Sequence, residues 1–482
     1  MVTQLSQYAA VQDLFDQTAA QFAGLTAIDN GVRRVTYGEL QTDAQRLSHL
    51  LAQRGAAENS IVAIFLTDPI GVVSSILATL KTGSVFCALD PSFPPKRLEA
   101  MFERTTPKWC ITHSRFQERL QRVFSTLESA PEIILIDNLP ATNGFTPAII
   151  PANPNAPCSI YFTSGSTGKP KAILGRLNGI DHFIRWEIET VGARPGTRVS
   201  QLASPSFDGF LKDAFVPLCS GGLVCAPESR EILLDAGRLI DWIDVEQIEV
   251  LHLVPSVFRS VINHGLNDRY FEALQYVVLA GEHLYPADVK RWMEVFGERI
   301  KLLNTYGATE TTILKSWHCV EPADAAKSSV PIGKPIRGAA MMVIDQQGQP
   351  CSVGDIGEIY VRTPYRSHGY YGEPELTKQV FIQNPFNSDP ADVIYKTGDY
   401  GRLLPDGNFE ILGRRDAQVK IRGVRIELGE IENLLRANTS VGEVAVIDRE
   451  DGAGNKILVA YVTMTNGAGP ESLRAYLLDH LP

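Results

Sequence analysis

The stretch SIVAIFL, residues 60–66, is an unbroken apolar run. A strand with one wet face alternates polar and apolar residues, so a continuous run marks a parallel strand covered by helices on both faces. Its surroundings fit that reading. VTYGELQTDAQRLSHLLAQRG pairs Thr36 with Glu39 as a capping box, sets Leu40, Ala44, Leu47 and Leu51 at helical spacing, and puts Gly55 where a helix stops. A second helix around GVVSSILATLKTG leads into SVFCALD, and KWCIT and EIILID repeat the strand signal. The alternation resumes with EVLHLVP (249–255), LQYVVLAG (274–281) and IKLLNTYG (300–307). The first two thirds of the chain therefore predict an α/β fold with two related, doubly wound parallel layers.

From about residue 335 the pattern changes. AAMMVIDQQGQP followed by GEIYV reads as a hairpin, so β structure takes over. After GRRD (413–416) come a strand pair, the helix GEIENLLRAN, and EVAVIDREDGAGNKILVAYVTM folding about Asp451–Gly454, which together read as a small α+β unit. LPATNGFTPAIIPANPNAP (139–157) is an extended connector, and no internal repeat is visible.

A chain of 482 residues, 44% of them apolar, has room for two to four domains. Its net charge of −10 argues against nucleic acid or an anionic membrane as partner, so a nucleotide bound here would be a small molecule. The first residues show no basic stretch followed by an apolar core, as an export signal would, and no run approaches the roughly 18 apolar residues of a membrane span. Seven scattered cysteines form no CxxC pair and nine histidines no HExxH, which reads as reduced thiols in a cytoplasmic protein without a metal cage.

YFTSGSTGKPKA, residues 161–172, follows the short apolar run CSIYF. Glycine-rich loops after strands hold phosphate, because glycine lets backbone N–H groups approach an anion. The common ATP loop needs GxxxxGK[ST] opening a helix. Here Gly165 and Gly168 are three apart, Pro170 follows Lys169, and KAILG reads as a second strand. Thr163, Ser164, Ser166 and Thr167 supply hydroxyls to a loop between strands, which can wrap the β- and γ-phosphates and release them as pyrophosphate. A flexible Ser/Gly-rich surface turn is the alternative.

That segment resembles the phosphate-loop signature of the acyl-adenylate-forming superfamily, which holds acyl-CoA synthetases, luciferases and the adenylation domains of non-ribosomal peptide synthetases. NTYGATET (304–311), GEIYV…HGYYG (357–372), YKTGDYGRLLPDG (395–407) and GRRDAQVKIRGVRIELGEIE (413–432) resemble further motifs in the expected order, and LKTGSVFCALDPSFP (80–94) an upstream one. The resemblance covers essentially the whole chain. It implies a core over residues 1–415 of two α/β subdomains and a distorted β-barrel-like subdomain, with a small α+β lid over 416–482. It also implies the reaction: a carboxylate attacks the α-phosphorus of ATP, pyrophosphate leaves, and the acyl group passes from AMP to a thiol.

Carried onto this sequence, the resemblance gives Thr163, Ser164, Gly165, Ser166, Thr167, Gly168 and Lys171 to the departing pyrophosphate. It gives Tyr306, Asn304 and the Gly281 backbone to adenine, Thr309 to the α-phosphate, Glu310 to magnesium, Asp399 to the ribose, and Arg414 to the ribose or phosphate edge. Taken alone, Tyr306 reads as a core aromatic and Asp399 as a turn residue. Ala308 stands where most peptide-synthetase members have proline, which loosens the turn without removing a ligand. Asp416 falls at the family's hinge, and Lys420 on the lid face used in thiol transfer; the rest of KIRGVR reads as a solvated charge run. The family also places a catalytic lysine in an NGK-like turn beyond a sequence like LLDHLP, and none follows residue 455. The lid is therefore expected to be truncated, and adenylation slower than with that lysine present.

In SPSFDGFLKDAF, Asp208 fills the position that pairs with the substrate α-ammonium in amino-acid-activating members, which implies an amino acid rather than a fatty or aryl acid. GIDHFIRWEIET (179–190) also resembles adenylation domains, with no chemistry assigned. The side-chain pocket aligns to Gly209, Lys212, His252, Val278, Ala280, Thr305, Ile313 and Leu314. A buried lysine beside a histidine needs a counter-charge, which a substrate carboxylate could provide, pointing to aspartate, glutamate or methylaspartate. Alternatively Lys212 pairs with Asp213 or Asp208 and leans out, leaving a neutral or aromatic pocket. The acceptor thiol would be phosphopantetheine on a separate peptidyl carrier domain.

Overall fold

The computed structural model describes residues 9–139, 153–165, 170–414, 418–451, 454–465 and 469–481. Ser166, Thr167, Gly168 and Asp416, and most of the 139–157 connector, lie outside the described residues.

Ile61–Phe65, buried throughout, runs parallel between Val85–Ala88 and Trp109–Thr112 in a seven-stranded sheet. This sheet ends in antiparallel strands: Pro157–Thr163 pairs with Lys171–Arg176, Thr163 opposite Lys171, and Gly369–Tyr370 adds to the edge. The segment KAILG is thus a strand, and the glycine-rich loop joins two neighbours in the sheet. Helix Tyr37–Gln53 begins on the expected box: the Glu39 amide donates to the Thr36 hydroxyl at 3.2 Å and the Thr36 amide to the Glu39 carboxylate at 2.8 Å. It ends at Gly55, whose φ of 85° suits glycine.

The second sheet has nine strands, with a parallel centre from Thr26–Asp29 through Leu223–Cys225, Arg198–Ser200, Val250–Leu253 and Tyr276–Leu279 to Lys301–Tyr306. The N-terminal strand joins this later sheet rather than the one it precedes, so the layers are not successive halves of the chain. Helices packed between the sheets belong to both: one apolar cluster takes in Val62 and Phe86, Ile28 and Val224, and Leu40, Ile76, Phe183 and Phe215.

The third subdomain is an antiparallel sheet with no closed barrel among the described residues. Ala340–Ile344, Gly357–Arg362 and Val393–Leu403 lie side by side, and the short strands Phe381–Gln383 and Phe409–Arg414 share the far side of the last. No described pairing joins the two outer sides into a closed barrel; Phe409 on one outer strand bridges instead to Gly333. The C-terminal unit is α+β, as expected: the pair Gln418–Ile421 and Val424–Glu427, helix Leu428–Ala437, the pair Val441–Glu450 and Lys456–Met464, and helix Pro470–Leu478. Its core is its own, built around Val419, Leu435, Val446 and Leu473. No described helix is long and apolar enough to cross a membrane.

Candidate functional site

A large cavity opens at the carboxyl ends of the parallel strands, with the C-terminal unit as its far wall. Asn304 and Tyr306 come from strand Lys301–Tyr306, His252 from Val250–Leu253, and Ala280 and Gly281 from just beyond Tyr276–Leu279. Thr163, Ser164, Asp208, Gly209, Lys212, Thr305, Thr309, Ile313, Leu314, Asp399, Arg414 and Lys420 share this cavity. Gly165, Lys171 and Glu310 are not among its lining residues. Nor is Val278, which is packed among Val191, Val199, Val250 and Leu303, one pleat deeper than Ala280.

At one end Tyr306, Asp399 and Arg414 form a chain. The Tyr306 hydroxyl donates to Asp399 Oδ2 at 2.5 Å, and Arg414 Nη1 donates to Asp399 Oδ1 at 2.6 Å and to the Thr397 carbonyl at 3.1 Å. Burial, with the Asp399 charge beside it, pushes the Tyr306 phenol well above its ordinary range. The carboxylate is thus fixed by two donors while its remaining lone pairs stay available. Asn304 spends its amide on the Pro331 carbonyl at 2.8 Å. Gly281, at φ 90°, would place a Cβ 3.7 Å from the Gly423 Cα of the C-terminal unit.

In the middle, the C-terminal hairpin is docked on Ser164, at the start of the glycine-rich segment. Ser164 Oγ donates to the Arg425 carbonyl at 2.8 Å and accepts from the Glu427 amide at 3.1 Å. Lys171 Nζ lies 3.8 Å from Glu427. Thr163 Oγ1 is buried with no hydrogen bond among the described residues. Arg425 is no part of a solvated charge run: its Nη1 reaches both oxygens of Glu310, at 2.8 and 3.1 Å, and the Tyr370 hydroxyl donates to the same carboxylate at 2.9 Å. Burial alone would raise the Glu310 carboxyl; Arg425 and Tyr370 hold it below the ordinary range. Lys420 is the cross-strand partner of Arg425 and so shares its face. Burial pulls the Lys420 ammonium down, opposed by Asp399.

The docking turn explains one glycine. Arg422 and Gly423 have φ of 50° and 76°, a two-residue turn with both centres left-handed. A Cβ on Gly423 would come 2.6 Å from Val254 Cγ1. Its amide donates to Glu282 at 2.8 Å.

Asp208 also lines the cavity, just before helix Gly209–Leu218. Burial raises its carboxyl, with the Thr309 hydroxyl and the amides of Gly209 and Ile313 opposing, and Oδ2 has no hydrogen bond among the described residues. Lys212 does not lean out: its side chain is 7% exposed, 4.0 Å from Asp213 Oδ1. His252 Nε2 lies 2.6 Å from Glu187, and Nδ1 3.1 Å from Asp213 Oδ1, close enough for an ion pair but out of line for a hydrogen bond. Asp213 Oδ2 accepts from the Leu202 and Ala203 amides at 3.0 and 2.9 Å. Burial and Lys212 pull the His252 imidazole down, yet Glu187 and Asp213 outweigh them and raise it. Glu187 is therefore a site residue the motifs miss; its only sequence signal is a carboxylate on the buried side of helix Leu177–Val191.

Among the described residues, no cluster of three or more His, Cys, Asp or Glu side chains forms a metal cage. The donor set still fits magnesium, which keeps several waters and takes one or two carboxylates beside substrate phosphates. Glu310 could serve once Arg425 withdraws. Ala308, at φ −135°, lies outside the range proline can adopt.

The family model described as AMP-binding enzyme matches residues 15–371. Tyrocidine synthase 2 of Brevibacillus parabrevis is 33% identical over 475 residues, 98% of this chain and 13% of that protein. The chain spans less than a fifth of the length of the curated relatives first matched. Among solved structures, NpsA-ThdA, an artificially fused adenylation–PCP di-domain NRPS from Klebsiella oxytoca, superposes at TM-score 0.86 with 25% identity, covering 99% of this chain and 92% of that one. An o-succinylbenzoate CoA synthetase from Bacillus subtilis shares the fold at TM-score 0.83 and 20% identity, covering 97% and 91%.

Proposed function

The chain belongs to the AMP-binding enzyme family, and from that premise we propose that it activates an amino acid as its aminoacyl-AMP and passes the aminoacyl group to a carrier-protein phosphopantetheine thiol. The observation that carries this reading is Asp208: a buried carboxylate with an oxygen to spare, on the same cavity as the Tyr306–Asp399–Arg414 chain. A compact α-ammonium suits it, where a fatty or aryl acid would leave it unpaired.

Each step then has a place. Asp399 accepts the ribose hydroxyls, with Tyr306 and Arg414 holding it still, and the Tyr306 ring and Asn304 line the adenine slot. The substrate carboxylate attacks the α-phosphorus beside Thr309; the bond to the β-phosphate oxygen breaks and pyrophosphate leaves over Thr163, Ser164, Gly165 and Lys171. Ser166, Thr167 and Gly168 belong to the same loop in this reading. Magnesium on Glu310 would neutralise phosphate charge. The thiol then attacks the acyl carbonyl and AMP leaves, with the lid turned about Asp416 so that Lys420 faces the cleft. The protein contributes positioning and charge, with no covalent intermediate of its own.

For the side chain we propose an acidic residue, aspartate, glutamate or methylaspartate. Lys212 lines the cavity, and its Nζ has no hydrogen bond among the described residues and its carboxylate neighbour only at 4.0 Å. A neutral polar side chain is the second reading, favoured because Asp213 and Glu187 already balance the charges of Lys212 and His252. Pyrophosphate exchange across the proteinogenic amino acids plus methylaspartate tests both. Robust exchange with leucine or tyrosine and none with aspartate or glutamate would sink the acidic reading. Consumption of free CoA without amino-acid-dependent exchange would instead mark a ligase for a small carboxylic acid.

A further inference from the structure

Lys315 is a fully buried lysine that the proposed reaction leaves without a task. Its ammonium donates to the Thr312 carbonyl at 2.8 Å and the Leu314 carbonyl at 2.9 Å. Its backbone is pinned as well, the amide donating to the Tyr306 carbonyl at 2.7 Å and the carbonyl accepting from Ile336 at 3.0 Å. Between the tied carbonyls the chain passes through two consecutive left-handed residues, Thr312 at φ 67° and Ile313 at φ 60°. Both are β-branched, and such a backbone persists only where its surroundings over-determine it.

Those surroundings are unusually close. A Cβ on Gly307 would come 2.2 Å from the Ile313 carbonyl oxygen and 2.6 Å from the Leu314 Cα. A Cβ on Gly179 would come 2.6 Å from Thr312 Oγ1. The turn is pressed between two glycines, with the lysine bridging its carbonyls. Burying an ammonium is costly, and an apolar side chain would fill the same space at lower cost, so the two bonds demand a use.

We propose that Lys315 is a positioning residue for amino-acid recognition: it ties the Thr312–Ile313 turn so that Ile313 and Leu314 stand on the pocket wall and the Ile313 amide stays beside the Asp208 carboxylate. The inference rests on the amino-acid reading given above.

Charge adds a second consequence. Asp208, at the start of helix Gly209–Leu218, is the carboxylate that supports the Lys315 charge, and His182, on helix Leu177–Val191, is the titratable group that Lys315 opposes. Burial brings the Lys315 ammonium down to about 7. A substrate α-ammonium on Asp208 would occupy the carboxylate that supports the Lys315 charge, which favours the neutral amine. Amino-acid affinity therefore rises with pH through neutrality.

The test measures amino-acid and ATP KM by pyrophosphate exchange at pH 6 and 8 for the full chain, Lys315→Gln and Lys315→Met. The amide of K315Q can still donate two bonds but carries no proton to lose. The wild type should show amino-acid KM falling several-fold, and by no more than about tenfold per pH unit for one linked proton. K315Q should stay within about twofold of the wild type at pH 8 and lose the pH dependence. K315M should raise amino-acid KM about tenfold or more with ATP KM unchanged. K315M with wild-type amino-acid KM, or K315Q with the wild-type pH dependence, overturns the proposal. If K315M does not fold, the K315Q profile decides alone. A wild type without amino-acid-dependent exchange defeats the underlying reading and this inference with it, a result distinct from silent variants of an active wild type.

Discussion

Arg425 and Glu310 occupy one another: one guanidinium nitrogen serves both carboxylate oxygens, at 2.8 and 3.1 Å, and the carboxylate is wholly buried. Removing one partner of a buried pair costs about 3–5 kcal/mol, because the other charge is left unmatched. If the C-terminal hairpin undocks as proposed, solvent or magnesium would reach Glu310. Arg425→Met should therefore shift the lid away from its docked position. The magnesium concentration for half-maximal pyrophosphate exchange should fall about tenfold, while thiol transfer slows. An unchanged magnesium requirement would mean that Arg425 and the ion do not compete.

The same pair has a pH signature. A carboxyl held below its ordinary 4.5 stabilises the docked hairpin fully above that value, and the contribution is lost as pH falls through the depressed one. Docking, followed by fluorescence transfer between lid and core, should be flat from pH 8 to about 5 and fail in more acid solution. Loosening between pH 6 and 8 would assign the contact to other groups.

Tyr306→Phe removes the hydroxyl from Asp399 but leaves Arg414 in place. A hydrogen bond to a charged group contributes about 1.5–3 kcal/mol. ATP KM should rise by roughly tenfold or more and amino-acid KM should hold, as read by exchange kinetics at saturating partner substrate.

Glu187→Gln weakens the support under His252. A histidine whose pKa is raised on folding gives stability that is complete below its unfolded value near 6.5 and fades as pH rises through the folded one. The variant should melt several degrees lower at pH 6, and the gap to the wild type should narrow in alkaline solution. Calorimetry at pH 6 and 9 reads both, and a gap that widens with pH contradicts the assignment.

Gly423→Ala forces a Cβ toward Val254 Cγ1 and a left-handed φ on alanine. The core should keep its exchange activity, since the clash exists only when the hairpin is docked. Acyl transfer to a carrier thiol should slow by about tenfold, and equal rates would show that the turn is not part of the docked state.

Local rules identify elements where structure is local. The unbroken run at 60–66, the Thr36–Glu39 box and the proline after Lys169 each identify their element from neighbours alone. Pairings over long distance were beyond them. Thr26–Asp29 sits beside Leu223–Cys225, a choice made by packing across nearly two hundred residues of sequence. Arg425 was hidden for a subtler reason. Once Lys420 is placed on the cleft face, its cross-strand partner must follow, but the register depends on a left-handed turn at Arg422, a residue type that does not announce one. Glu187 reads as an ordinary polar residue of an amphipathic helix until His252, sixty-five positions on, is brought against it.

Ser164 has one proton to give, and in this structure it gives it to the Arg425 carbonyl while taking the Glu427 amide on its oxygen. A hydroxyl so engaged cannot also donate to a leaving phosphate. If the loop grips pyrophosphate as proposed, product and lid are rivals for a single atom, and the hairpin can settle only over an emptied loop. That would make the cleft an interlock: departure of the first product, rather than any separate trigger, would be the key that admits the second half of the cycle and keeps the order of events from running backward.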